Sequence, residues 1–168
     1  MRALHWTDRL LEHVDRSLKT LTGTLPVANS FEYDSRDDAL TSDEQSKSRQ
    51  LMRVNHCGEV CAQGLYHGQM LSARNDSTKA HLEHAAEDEQ KHLVWCQERL
   101  RELNGQTSYL NPFWYGASFM VGAATGLMGD KVSLGFIAAT EEEVCKHLDR
   151  HLAELPEGDH RTREIIAQ

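Results

Sequence analysis

The chain predicts an all-α fold, an antiparallel helix bundle, on three observations. Leu82, Ala86, Leu93, Cys96, Leu100 and Leu103 recur at three- and four-residue steps, and so do Leu134, Ile137, Val144, Leu148, Leu152 and Leu155. Such spacing gathers each set on one helical face that must be buried against another helix. Acids interrupt both stripes, Glu89 in the first and Glu141 in the second, with His92 one turn beyond Glu89. The periodic stretches are separated by breaker clusters, Asn75-Asp76-Ser77, Asn104-Gly105 and Pro156-Glu157-Gly158, which are turn chemistry. An unpaired carboxylate in an apolar seam costs on the order of several kcal/mol, so it has to be paired, protonated or bound to a cation.

Residues 1–22 form an added N-terminal amphipathic helix, with Trp6, Leu10, Val14, Leu18 and Leu21 on one face. That face fits core packing, or docking onto a membrane or a partner. Asp8, Glu12 and Asp15 and the lack of an apolar core segment argue against a secretory or mitochondrial leader. Residues 23–42 read as a polar linker or flap, with Pro26, Asn29, Asp34, Asp37 and Asp38 and no sustained period. Residues 43–168 form the bundle. Ser42 with Gln45 resembles a capping box that opens its first helix, which runs to about Ala73. A second helix runs to about Leu103, where Gly105 suits a helix end. Asn111 as N-cap, followed by Pro112, opens a third.

Residues 112–129 carry no charge. Gly, Ser and Thr dilute their hydrophobicity below that of a membrane span. They read either as a buried Gly-packed helix pair or as a monotopic membrane-facing surface that also admits an apolar substrate. Helical patterning resumes to Leu155, and a last helix begins near Asp159.

At 168 residues the chain is one domain, able to bury roughly 70% of its unfolded surface. A net charge of -8 without a basic stripe excludes general nucleic-acid binding, and a mean hydropathy of -0.58 excludes a polytopic membrane protein. Cys57, Cys61, Cys96 and Cys145 form no CxxC pair and read as buried, reduced thiols. Cys57 and Cys61 lack the second Cys/His pair that a zinc site requires.

Glu59 lies beside a further stripe, Leu51, Val54, Gly58, Cys61 and Leu65. In di-iron carboxylate bundles two helices each supply one Glu, and two others each supply Glu-x-x-His. Glu59 is then the lone Glu of the first hairpin and Glu89-Gln90-Lys91-His92 its Glu-x-x-His. Glu141 is the lone Glu of the second hairpin, chosen over Glu142 and Glu143 by seam register. The interval from Glu59 to Glu89, carried on from Glu141, ends just past Gln168. The expectation is a truncated final helix, an open part of the second seam and a second Glu-x-x-His beyond it. The cofactor expected is iron, two per complete chain and partial or absent without that motif. Carboxylates can bridge two irons, imidazole adds a neutral ligand, and open positions admit dioxygen.

The run Arg53-Val54-Asn55-His56-Cys57-Gly58-Glu59, continuing from Ala62 through Gln69, resembles the RV(D/N)HxGE segment of the demethoxyubiquinone hydroxylases, di-iron monooxygenases of ubiquinone biosynthesis. Glu87-Asp88-Glu89-Gln90-Lys91-His92, Asn111-Pro112-Phe113-Trp114 and Glu141-Glu142 with His147 resemble their later segments. The resemblance implies a ferritin-like bundle with iron ligands at Glu59, Glu89, His92 and Glu141, Glu89 bridging. It implies hydroxylation of a demethoxy-polyprenyl-benzoquinol by dioxygen, with the tail lodged near Phe113, Trp114, Phe119 and Met120. It also implies a peripheral place on the cytoplasmic face of the bacterial inner membrane, among other ubiquinone-biosynthesis proteins. Self-association would cover the open seam. The alternatives are a ferritin-like iron oxidase or peroxidase and a non-catalytic membrane-attached lipid-binding subunit. The uncharged stretch favours the hydroxylase and the lipid-binding subunit over the oxidase.

Overall fold

A computed structural model describes residues 6–23 and 31–168, apart from the side chains of residues 6–10, 12 and 13. Among these residues the chain forms six helices and no strand: α1 (Trp6–Thr22), α2 (Ser42–Ser72), α3 (Asp76–Glu102), α4 (Asn111–Leu127), α5 (Asp130–Glu154) and α6 (His160–Ile166). The all-helical fold class therefore stands.

Helix α2 is the axis. Its start is one residue earlier in phase than expected. Thr41, not Ser42, is the N-cap, accepting from the Glu44 amide while the Glu44 carboxylate accepts from the Thr41 amide at 2.8 Å. Both positions match a capping box, and the one whose partner is a carboxylate near the positive helix end prevails. Helix α3 runs back along α2, tied by Gln63 Nε2 to the Ala86 carbonyl at 2.5 Å. Leu82, Ala86, Leu93, Cys96, Leu100 and Leu103 are all buried, so the first stripe is a seam along its length. Asn104, with φ 55, takes the left-handed turn that ends this helix. The sequence pattern places that role on Gly105, and Asn is the other residue that tolerates it.

Helix α4 crosses α2 in the same direction at very short range. A Cβ at Gly68 would land on the Phe119 carbonyl oxygen, and one at Gly122 on the Leu65 carbonyl oxygen. The expected Gly-packed helix pair is therefore α2 with α4. Asn111 is the first residue of α4 rather than its N-cap, and no side chain caps this helix. Its Nδ2 lies instead 3.4 Å from His56 Nδ1 on α2. Helix α5 runs back along another side of α2, with Gln69 Nε2 on the Ser133 carbonyl and His151 Nδ1 2.6 Å from Asn55 Oδ1. Its stripe is buried at the ends, at Ile137 and Leu155, but Glu141 and Val144 are exposed in the middle.

Of the apolar face expected on helix α1, Leu21 packs on the bundle, while the side chains of Trp6 and Leu10 lie outside the described residues. Thr20 is buried, Leu21 packs on Val60, Leu93, Val94 and Tyr115, and Ser17 Oγ lies 2.8 Å from Tyr115 Oη. Leu11, Val14 and Leu18 point outward. Residues 31–41 are clamped against α6 and α3. The Asp34 and Ser35 amides donate to Glu164 at 2.9 Å, and Asp37 and Asp159 both receive Arg99, which is only 2% exposed. Asp159 also caps α6 through the Thr162 amide. Residues 24–30 of the expected linker lie outside the described residues.

The glycine contacts predict opposite signs for two like substitutions. Gly68→Ala drives a methyl into a backbone oxygen that cannot yield, and should cost at least the roughly 1–3 kcal/mol of an overpacked core. Gly116→Ala meets nothing within 4 Å and should stabilise α4 by about 0.5–1 kcal/mol. Urea unfolding of both variants decides it. Equal effects would mean that α2 and α4 do not touch at these positions.

Candidate metal centre

Across the α2–α3 seam, Glu59 on α2 faces Glu89 and His92 on α3. Each offers one ligand atom, and these atoms all lie within 4.8 Å of one another. The spacing inside α3 puts residues three apart on one face, and His92 Nδ1 stands 3.3 Å from Glu89 Oε2. The His92 ring rests on Trp95, with centroids 5.1 Å apart. Glu59 is half-buried and follows directly on the exposed Gly58, next to the fully buried Val60.

Electrostatics mark this cluster as unfinished. Burial, then the neighbouring Glu89 charge, pushes the Glu59 carboxyl well above the usual range. Burial also opposes ionisation of Glu89, but hydrogen bonds from His92 and Glu59 outweigh it and hold Glu89 below the ordinary value. Glu59 is thus pushed toward its protonated form and Glu89 toward its charged one. Among the described residues no Lys or Arg pairs with either of them. Hard oxygen donors with one imidazole, half-buried and without a Lys or Arg partner among the described residues, fit a divalent first-row metal such as iron.

The fourth expected residue stands apart. Glu141 is exposed and outside this cluster, with its Oε1 3.4 Å from Tyr66 Oη, which donates to it. Glu142 and Glu143 instead pair with Lys146 at the surface, so of the three acids only Glu141 turns toward α2. Tyr66 is the residue that sequence reasoning missed. It is buried, and its phenol is raised by burial and then by the charges of Glu89, Glu141 and Glu59. Its position two turns beyond Glu59 was the available signal, since residues seven apart share a helical face. Of the four thiols, Cys96 alone is buried; Cys57 and Cys61 are half-buried and Cys145 is exposed, which corrects the expectation of four buried thiols.

Residues 46–168 match the family model of the ubiquinone biosynthesis protein COQ7. The chain belongs to that family. Curated relatives agree. The chain is 48% identical over 169 residues to a 3-demethoxyubiquinol 3-hydroxylase of Chromohalobacter salexigens, covering 99% of this chain and 79% of the relative. It is 49% identical to the enzyme of that name from Pseudomonas fluorescens, over 96% of this chain and 76% of the relative. A third, from Francisella tularensis subsp. novicida, is 48% identical over 100% of this chain and 80% of its own length. The matched region contains Glu59, Glu89, His92 and Glu141.

His56, one turn before Glu59, is buried, and burial lowers its pKa from 6.5 to about 4. The folded state thus refuses a proton that the unfolded chain accepts below pH 6.5. Stability from this group is complete above pH 6.5 and is lost as pH falls toward 4, by on the order of 3 kcal/mol. Unfolding of the wild type between pH 7 and 4.5 should therefore steepen relative to His56→Gln. Parallel pH profiles for the two proteins would remove His56 as the cause.

Proposed function

We propose that this chain is a 3-demethoxyubiquinol 3-hydroxylase, a dioxygen-dependent monooxygenase of ubiquinone biosynthesis with iron held between α2 and α3. The observation that carries this reading is the meeting of Glu59, Glu89 and His92 in one cluster across the seam of a COQ7-family chain. Glu141 is proposed as a further ligand, steered by Tyr66 Oη, which donates to it. Iron, when bound, supplies the site at which dioxygen binds and is reduced.

The chain's own residues supply the rest. Glu59 and Glu89 would hold the cation as ionised carboxylates, so the proton that burial favours on Glu59 would have to leave for Glu59 to serve as a ligand. Trp95 fixes the plane of His92, and Glu89 orients its ring through Nδ1. Tyr66 keeps its proton and so remains a donor that aims Glu141. Buried Leu93, Val60 and Leu82 keep water from the seam.

The substrate's polyprenyl tail needs an apolar route, and α4 offers one. Its outer face exposes Phe113, Trp114, Met120, Val121 and Leu127, continued by Met128 and by Val132 and Phe136 of α5. No helix among the described residues is long and apolar enough to cross a membrane. An uncharged face on a helix that does not span is the pattern of a protein that lies on a bilayer. We therefore place the enzyme peripherally on the cytoplasmic face of the bacterial inner membrane, taking its quinol from the lipid. A ferritin-like iron oxidase acts on a soluble ion and has no use for such a face.

Glu89→Ala and His92→Ala should each lower hydroxylation of demethoxyubiquinol by more than the roughly 10–100-fold typical of an outer partner, with helical circular dichroism retained. Glu141→Gln should be far more damaging than Glu142→Gln or Glu143→Gln. Turnover preserved in either α3 variant, or equal effects across the three α5 acids, would overturn the ligand assignment.

A further inference from the structure

Helix α5 carries Glu141 and is held to the bundle toward its two ends. At one end Leu134 and Ile137 join a cluster with Tyr66, and Gln69 Nε2 donates to the Ser133 carbonyl at 3.1 Å. At the other, Leu148, Leu152 and Leu155 join a cluster with Leu51 and Met52. Between these clusters Glu141 and Val144 are exposed. The position of Glu141 relative to Glu59, Glu89 and His92 is therefore set by how the ends are held. Apolar packing is non-directional, so it leaves a helix some latitude to slide or turn against its neighbour.

One contact at the second end is directional. His151 Nδ1 lies 2.6 Å from Asn55 Oδ1, and both side chains are buried. The Asn55 amide is oriented by its nitrogen, which donates to the Met52 sulfur at 3.9 Å. Its oxygen is then the atom that meets His151, and the imidazole carries a proton on Nδ1 to donate. Burial, then the neighbouring His147, lowers the His151 pKa, which favours the neutral ring. The His147 ring rests on it, with centroids 4.0 Å apart. Asn55 stands one turn before Glu59 on α2, and His151 lies on the helix of Glu141, so this bond ties the two ligand-bearing helices directly. Neither residue belongs to the Glu59–Glu89–His92 cluster. Lys47 and Glu154 also join α2 to α5, but that ion pair is solvent-exposed and fixes little.

We propose that Asn55 and His151 form a positioning pair, which sets α5 so that Glu141 can join Glu59, Glu89 and His92 on a metal ion. A short buried hydrogen bond tolerates little displacement of either helix. A satisfied buried polar pair also specifies one packing where apolar contacts allow several. Loss of the acceptor leaves the His151 N–H buried without a partner, which costs stability until the ring moves toward water. Helix α5 shifts with the ring, and Glu141 with the helix. The proposal rests on the reading of Glu141 as a ligand and adds what holds that ligand in place.

The test is anaerobic calorimetric titration of the full chain with ferrous iron, with helical circular dichroism of the metal-free proteins alongside. Asn55→Leu keeps the volume and removes the acceptor. It should weaken iron binding by roughly 10–100-fold, the range for a residue that orients a ligand. Asn55→Asp keeps the accepting oxygen and should restore most of the affinity. In a Glu141→Gln background, Asn55→Leu should add no more than about twofold, because the ligand it positions is already gone. Lys47→Gln, at the exposed pair, should bind iron as wild type does. An equal loss in both backgrounds, or no recovery in Asn55→Asp, would mean general loosening of the bundle and would overturn the proposal. Undiminished binding by Asn55→Leu where Glu141→Gln weakens it would overturn the proposal and leave Glu141 as a ligand. If Glu141→Gln binds iron as tightly as wild type, the ligand reading falls and the proposal with it. Should Asn55→Leu lose its helices, Asn55→Ser, whose oxygen falls short of His151, takes its place. Loss of helices in both would make the pair a requirement for folding and overturn its positioning role.

Discussion

Two carboxylates facing each other across the α2–α3 seam, with no Lys or Arg among the described residues to separate them, set the terms for the rest of this structure. Glu59 is driven toward its protonated form by burial and by Glu89, while Glu89 keeps its charge through His92 and Glu59. Left alone, such a pair weakens the bundle, because a buried charge is compensated only by excellent geometry and further hydrogen bonds. A divalent cation reverses the sign of the interaction. Both carboxylates would then be ionised ligands converging on it, which would couple metal binding to folding.

The surrounding helices keep that pair from drifting apart. Gln63 fastens α2 to the Ala86 carbonyl of α3, within one turn of both acids. Glycine contacts bring the α4 backbone against α2 on the other side. Arg99 ties residues 31–41 and the cap of α6 to the far end of α3 through Asp37 and Asp159. Buried as it is, this arginine is tolerated because its nitrogens meet acids and the Thr162 hydroxyl. The middle of α5 lacks such cover: Glu141 and Val144 are exposed there, and Glu141 meets Tyr66 of α2.

Periodicity made the first seam readable, since every apolar member of the Leu82 to Leu103 stripe is buried. It also picked out Glu89 and His92, because an acid in such a stripe is costly unless a partner or a cation meets it. The same rule finds the α5 stripe, which is only partly buried, for the period tells which residues share a face but not what lies against it. Local ambiguities moved the caps. Thr41 and Ser42 both head a capping box, and Asn104 and Gly105 both allow a helix end. The partners of Arg99 could not be read at all, because Asp37 and Asp159 meet it only through the fold. On α1 the apolar stripe was legible but its direction was not. Ser17, Thr20 and Leu21 dock, and Val14 and Leu18 face outward.

The most direct test is crystallographic, with crystals exposed anaerobically to ferrous iron and measured across the iron absorption edge. An anomalous peak is expected between the carboxylates of Glu59 and Glu89 and the ring of His92, and it should vanish in Glu59→Gln. A peak confined to surface acids such as Glu142 and Glu143, or one that persists in Glu59→Gln, would contradict a metal centre between α2 and α3.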